Sequence, residues 1–173
     1  MLTTVAALII VMGLAVSLAR EVRRRSADVV TRDVLGQLDR MMDAYLARYG
    51  HPPPVPALID LPPTTAVGDP ATPTPAPDPV ALARSARRNN QAVVAAMQQS
   101  AGLGFADELF GKLPRSMYDD ITLRDAWGSP VVFMTAMHPS IGMAHDNRPF
   151  FFSAGPDGNY LTREDNLYSY EGR

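Results

Sequence analysis

The chain has 173 residues, a formal net charge of −2 at neutral pH and no cysteine. A chain without cysteine forms neither a disulfide framework nor a thiolate metal site. The slightly acidic balance argues against the basic surface that nucleic-acid binding requires, so we expect no nucleic-acid partner.

The first 19 residues contain no ionisable side chain. As a helix they would span about 28 Å, close to the thickness of the hydrocarbon layer of a membrane. Basic residues follow this apolar run at 20–25, whereas a cleaved signal peptide carries them before it. We therefore expect an uncleaved single-pass membrane helix. The positive-inside rule would place residues 20–25, and the rest of the chain with them, in the cytoplasm.

The helical pattern continues beyond the apolar run. Apolar residues recur every three or four positions up to residue 49, which is the spacing of a helix with one apolar face. Gly50 and the prolines at 52–54 are typical of a helix end. The sequence thus predicts one long helix within residues 1–50, whose amphipathic half has an apolar face formed by Val30, Val34, Leu38, Met41 or Met42, Tyr45 and Tyr49.

Residues 51–79 differ sharply in composition, because 11 of the 16 prolines fall between positions 52 and 79. Such a segment favours an extended linker over a helix or a central strand. A second helix is predicted from Pro79 to about Ser100, with Asp78 as its N-cap. A further short helix is predicted at 105–110. We expect the apolar side of the second helix to contain Val80, Ala83, Ala86 or Arg87, Val93 or Val94, and Met97.

The C-terminal third is rich in strand and turn signals. A turn at 125–130 precedes an apolar run at 131–135, and further strand-like runs occupy 149–153 and 167–170. These three runs predict an antiparallel sheet within residues 80–173. The fold class is therefore expected to be α+β, with a long N-terminal helix packed on a small antiparallel sheet and with the Pro-rich linker and the second helix between them.

Three short motifs in this third occur in a particular order. They are Asp-Ala-Trp-Gly-Ser-Pro at 125–130, Ser-Ala-Gly-Pro-Asp-Gly at 153–158, and the acidic pair Glu164 and Asp165. Together they resemble the C-terminal part of the major pseudopilin of type II secretion systems, in the type IV pilin superfamily. The apolar run differs from that family, which carries a glutamate near its start. The resemblance implies a pilin-like fold anchored in a bacterial inner membrane with a periplasmic C-terminal domain.

The same resemblance implies a calcium site near the C-terminus. Calcium takes six to eight oxygen ligands from carboxylates, backbone carbonyls and water. The family's ligand positions correspond to the side chains of Asp157, Glu164 and Asp165 and to the backbone carbonyls of Ala154 and Asn159. From spacing alone, a hairpin turn with a few solvated acidic residues is the better interpretation, and calcium is favoured only through the resemblance.

Two functions are consistent with these observations. The first is a structural subunit that assembles through its N-terminal helix with copies of itself or with other pseudopilins and supports protein export by the secretion machinery. The alternative is a single-pass, membrane-anchored binding domain with a pilin-like fold that never polymerises. No ordered Ser-His-Asp set or phosphate-binding loop stands out, so we expect no enzymatic activity.

Overall fold

A computed structural model describes residues 2–59, 78–99, 110–138, 141, 142, 144 and 147–172, with side chains of the first helix described from Met12 onward. The helices are α1 (Leu2–Tyr49) and α2 (Pro79–Gln99), and the strands are β1 (Val132–Met134), β2 (Phe150–Ser153) and β3 (Leu167–Tyr168). Short 3-10 helices occupy Gly155–Asp157 and Ser169–Gly172. The α+β class predicted from the sequence is confirmed.

Helix α1 ends where the sequence predicts. Gly50 adopts a φ of +75°, and its N–H donates to the carbonyl of Leu46 at 2.8 Å. This left-handed residue closes the last turn because glycine has no Cβ to oppose that conformation. The buried face of α1 is shorter than predicted, because Val30 and Tyr49 are each 40% exposed. It consists of Val34, Leu35, Leu38, Met41, Met42 and Tyr45.

Some predicted features fall outside the described residues. These are the side chains of residues 1–11 in the apolar run, residues 60–77 of the Pro-rich linker, and most of the short helix predicted at 105–110. Within the part of the chain that the structure describes, no helix combines the length and the apolarity needed to cross a membrane.

The described strands form one antiparallel sheet in the order β1-β2-β3. Phe133 lies opposite Phe151, and Phe152 lies opposite Tyr168. All four residues of β2 are buried. The central strand is therefore covered on both faces, which explains its continuous apolar run in place of the alternation expected of a half-exposed strand.

The two faces of the sheet belong to two apolar clusters. Phe133 and Phe151 point toward α1 and join its buried face. Their neighbours Val132, Phe150 and Phe152 point the opposite way, because side chains alternate along a strand. That second face is covered by Leu58, Leu82, Ala86, Ile141 and Ala144. The sheet is thus a middle layer, with α1 on one side and the chain around residue 58 and the start of α2 on the other.

Helix α2 begins at the predicted cap, where the carboxylate of Asp78 accepts a hydrogen bond from the N–H of Val80 at 3.0 Å. The predicted apolar side is wrong at Val80 and Ala83, which are exposed. Leu82 is buried instead, because it faces the second cluster together with Ala86. The remaining buried residues of the helix are Asn89, Asn90, Val93, Val94 and Met97.

Two asparagines of α2 supply hydrogen bonds to backbone groups of β1 and of the residues beside it. Asn89 accepts from the N–H of Phe133 at 2.8 Å and donates to its carbonyl at 2.9 Å. Asn90 accepts from the N–H of Leu123 and donates to the carbonyls of Leu123 and Val131. Both side chains are fully buried. They satisfy backbone groups that would otherwise be unpaired inside the protein, where each costs about 1–3 kcal/mol.

Candidate functional site

The turn at 125–129 is organised by one buried carboxylate. Asp125 is 2% exposed, and its Oδ1 accepts hydrogen bonds from the N–H groups of Trp127 at 3.0 Å and Ser129 at 2.8 Å. Gly128 in this turn has a φ of +98°, a conformation that glycine adopts without a steric penalty. The N–H of Ala126 donates to Thr31 Oγ1 at 3.2 Å, which attaches the turn to α1.

A second oxygen of Asp125 connects this turn to the C-terminal loop, which comprises residues 154–166. Ser153 Oγ donates to Asp125 Oδ2 at 2.6 Å and accepts from the N–H of Gly155 at 3.0 Å. Burial raises the pKa of Asp125, and the hydrogen bonds that its carboxylate accepts from Ser153 and from the N–H groups of the turn counteract part of that rise. The chain of three residues holds the start of the loop against the 125–129 turn.

The start and the end of the C-terminal loop lie against each other. A Cβ placed on Gly155, which has a φ of +66°, would lie 2.0 Å from the carbonyl oxygen of Asp165. Only glycine allows this approach. The hydroxyl of the buried Tyr160 donates to the carbonyl of Pro130 at 2.8 Å, and burial raises the pKa of this phenol. The loop is therefore a compact structure fixed to the sheet.

The predicted calcium ligands all lie in this loop, but they differ in their surroundings. Asp157, Asn159 and Glu164 are exposed, Asp165 is half-buried and Ala154 is buried. The carboxylate of Asp157 accepts from the N–H of Asn159 at 2.8 Å, and Asn159 Oδ1 accepts from the N–H of Leu161 at 3.1 Å. Both side chains thus stabilise local turns.

The three carboxylates are not gathered into one cluster of side chains. Among the described residues, no group of three or more His, Asp or Glu side chains is placed to hold a metal ion. The loop does contain a buried oxygen without a hydrogen-bond partner in the described structure, Asn166 Oδ1, whose amide nitrogen donates to the carbonyl of Tyr160 at 3.1 Å. Calcium binding at Asp157, Glu164 and Asp165 therefore stays a prediction.

The N-terminal half of α1 has a different character from its packed half. Met12, Leu14 and Leu18 are 61–67% exposed, and Val22 is 60% exposed. Residues 15–30 of the helix line an open groove of about 760 Å³ that ends at Ala126. The groove begins where packing on the sheet stops. An apolar helix surface of this extent fits lipid or another apolar helix.

Polar contacts join the packed half of α1 to the C-terminal residues and to Arg148, which precedes β2. Arg32 forms an ion pair with Glu171 at 2.8 Å, and Arg148 forms one with Asp43 at 2.5 Å. The four side chains of these pairs are 38–49% exposed, so each pair contributes little to stability. Ser169 Oγ also donates to Asp39 Oδ1 at 3.3 Å. These contacts add to the apolar packing of α1 on the sheet, which sets the direction in which its apolar half projects.

Sequence reasoning did not identify several residues that organise the site. The sequence places Asp125 in a turn but does not show that its carboxylate is buried, although an Asp that accepts a hydrogen bond from the N–H two residues later is a common turn signal. Asn89 and Asn90 interrupt the apolar side of α2. That interruption is the feature of the sequence that could have indicated two buried amide side chains. No signal in the sequence marks Thr31 as a residue of this site, because its hydrogen-bond partner is 95 residues away.

Comparison of the chain with protein-family models, with curated proteins and with solved structures found no match. The chain is therefore described by its architecture alone. A long N-terminal helix packs on a small three-stranded antiparallel sheet in a loosely pilin-like arrangement.

Proposed function

We propose that this protein is a pseudopilin-like structural subunit that assembles through its N-terminal helix and supports protein export in a type II secretion or related machine. In this proposal the apolar start of the chain is anchored in the bacterial inner membrane and the sheet domain lies in the periplasm. Subunits leave the membrane by adding to a fibre of copies or of related pseudopilins.

The observation that carries this proposal is the division of α1 into two halves. From Thr31 to Tyr45 the helix buries one face on its own sheet, whereas from Met12 to Val30 its large apolar residues are exposed. Burying an exposed apolar residue of this size against a second helix is worth about 1.5–3 kcal/mol. Several such residues on one rigid helix favour assembly in lipid or with neighbouring subunits.

The fixed attachment of the helix supports the same function. A fibre subunit must present its assembly helix in one orientation, because a variable orientation would not repeat from one copy to the next. The contacts of Thr31 with the 125–129 turn and of Arg32 with Glu171 hold α1 at the point where its packed half ends. The exposed half therefore projects from a defined position on the domain.

The alternative is a membrane-anchored binding domain that remains monomeric. One observation favours it: the apolar run at 1–19 carries no glutamate, the residue through which pseudopilins are thought to pair with a neighbouring subunit. In that case the exposed half of α1 contacts only lipid.

Cysteine crosslinking in membranes separates the two functions. The chain has no natural cysteine, so introduced ones are the only thiols. A chain carrying Val22→Cys and Val29→Cys, two exposed positions on α1, is expressed at its native level and treated with a bismaleimide. Assembly predicts a ladder of dimers, trimers and larger species.

The matched control places both cysteines on the exposed side of α2, as Arg84→Cys and Arg88→Cys. We expect few crosslinks from this control, since α2 lies away from the exposed half of α1. A monomer band alone from the α1 variant, under conditions in which its thiols are fully alkylated, refutes assembly and favours the membrane-anchored binding domain.

A further inference from the structure

Four exposed arginines lie directly after the apolar segment of α1, and we call them the arginine band: Arg20, Arg23, Arg24 and Arg25. Arg25 forms an ion pair with Glu21 at 2.7 Å, one turn away on the same helix. Arg20, Arg23 and Arg24 have the i, i+3, i+4 spacing that puts side chains on one face. Within the described residues, none of these three side chains has an ion pair or hydrogen bond.

The surroundings of the band indicate what it contacts. Before it, the exposed residues Met12, Leu14 and Leu18 are two or four positions apart, so they extend around the helix instead of following one narrow stripe. No charged residue lies among them. After the band, α1 packs on its domain from Thr31 onward. The band therefore separates an apolar helix from a folded domain.

We infer that the arginine band binds the phosphate groups of anionic phospholipids at the membrane surface, with Arg20, Arg23 and Arg24 as the contacting residues. This inference rests on the membrane anchoring in the proposed function. A guanidinium group donates two parallel hydrogen bonds to a phosphate, which makes arginine suited to this contact. The apolar segment places the three side chains at the depth of the headgroups.

The charge of the three arginines determines how strongly the chain should prefer anionic lipid. Each basic residue near an anionic membrane surface contributes roughly fivefold in affinity, the equivalent of about 1 kcal/mol. Three arginines without acidic partners then give a preference of about 100-fold for anionic over zwitterionic lipid. This preference should weaken as salt is added, since the charges are at the surface.

The test measures how the full-length chain distributes between two vesicle populations present together. One consists of phosphatidylcholine, the other of phosphatidylcholine with about a third phosphatidylglycerol, and each carries its own fluorescent label. The test variant is Arg20→Gln, Arg23→Gln, Arg24→Gln. The matched control, Arg84→Gln, Arg87→Gln, Arg88→Gln, removes the same charge from exposed positions on α2. We expect the test variant to lose most of the preference and the control to keep it.

The other outcomes overturn the inference in distinguishable ways. Equal distribution of the unmodified chain refutes the headgroup contact but leaves the membrane anchor standing. An equal loss in the control variant attributes the preference to net charge. Failure to associate with either vesicle refutes the anchor itself, and the inference with it. If inorganic phosphate at matched ionic strength displaces the chain from the anionic vesicles, the arginine band binds free phosphate and not the lipid headgroups. If the test variant loses its crosslinked multimers but keeps its lipid preference, the arginine band contacts a second copy of the chain and not lipid.

Discussion

Replacing Asn90 by alanine should destabilise the protein strongly, although the residue lies in no predicted binding surface. Asn90 is 0% exposed, and its amide bonds to the N–H of Leu123 at 2.9 Å and the carbonyl of Val131 at 2.6 Å. In the described structure these two groups have no other partner, whereas the carbonyl of Leu123 also accepts from the N–H of Val131. Asn90→Ala therefore leaves two buried backbone groups unpaired.

The expected loss of stability follows from these two unpaired backbone groups. Two unpaired groups cost about 2–6 kcal/mol, and the better helix propensity of alanine returns at most about 0.7 kcal/mol. We expect a net loss of about 3–4 kcal/mol from a free energy of unfolding that is typically about 5–15 kcal/mol. The melting temperature should fall by about 10 °C.

Urea unfolding measures this loss through a single fluorophore. Trp127 is the only tryptophan and packs against the core, so its emission reports on the folded domain. Arg88→Ala, an exposed change on the same helix, serves as the control and should alter the free energy of unfolding by no more than about 0.5 kcal/mol. A loss below about 1 kcal/mol for Asn90→Ala would refute the reasoning.

Three further changes test the turn and the C-terminal loop. The raised pKa of Asp125 means that its contribution to stability is fully present below the unfolded pKa of about 3.9 and is lost as the pH rises through the folded value. Asp125→Asn should remove this dependence, and unfolding curves with the same pH dependence in both proteins would contradict the assignment. Gly155→Ala should cost at least about 2 kcal/mol, because its Cβ meets the carbonyl of Asp165, whereas Gly36→Ala in an open helical position should cost nothing measurable in the same unfolding assay. Calcium, but not magnesium, should raise the melting temperature, and Asp157→Asn should abolish the rise; no shift on adding calcium or chelator removes the predicted site.

Local signals account for most of the secondary structure that the sequence predicted. Gly50 ends α1 and Asp78 caps α2, as the sequence predicts. The predicted strands have ends within two residues of those of β1, β2 and β3. The last predicted strand is the least accurate, since it turns into a 3-10 helix at Ser169. These features depend on neighbouring residues, which the sequence displays directly.

Features that depend on distant partners were not predictable in the same way. The choice of Leu82 over Val80 as a buried residue depends on where the second sheet face lies. Asn89 bonds with Phe133, which is 44 residues away, and no local pattern indicates that pairing. The buried state of Asp125 likewise follows from its contact with Ser153, 28 residues later.

The pairing of Asn89 and Asn90 with the β1 edge limits how copies of this protein can meet. An exposed strand edge is a template on which another chain can add a strand, a common route to uncontrolled aggregation. Here Asn89 bonds with the N–H and the carbonyl of Phe133, and Asn90 donates to the carbonyl of Val131, which are groups that an incoming strand would need. A strand from another chain therefore cannot add at this edge unless it displaces the two asparagines.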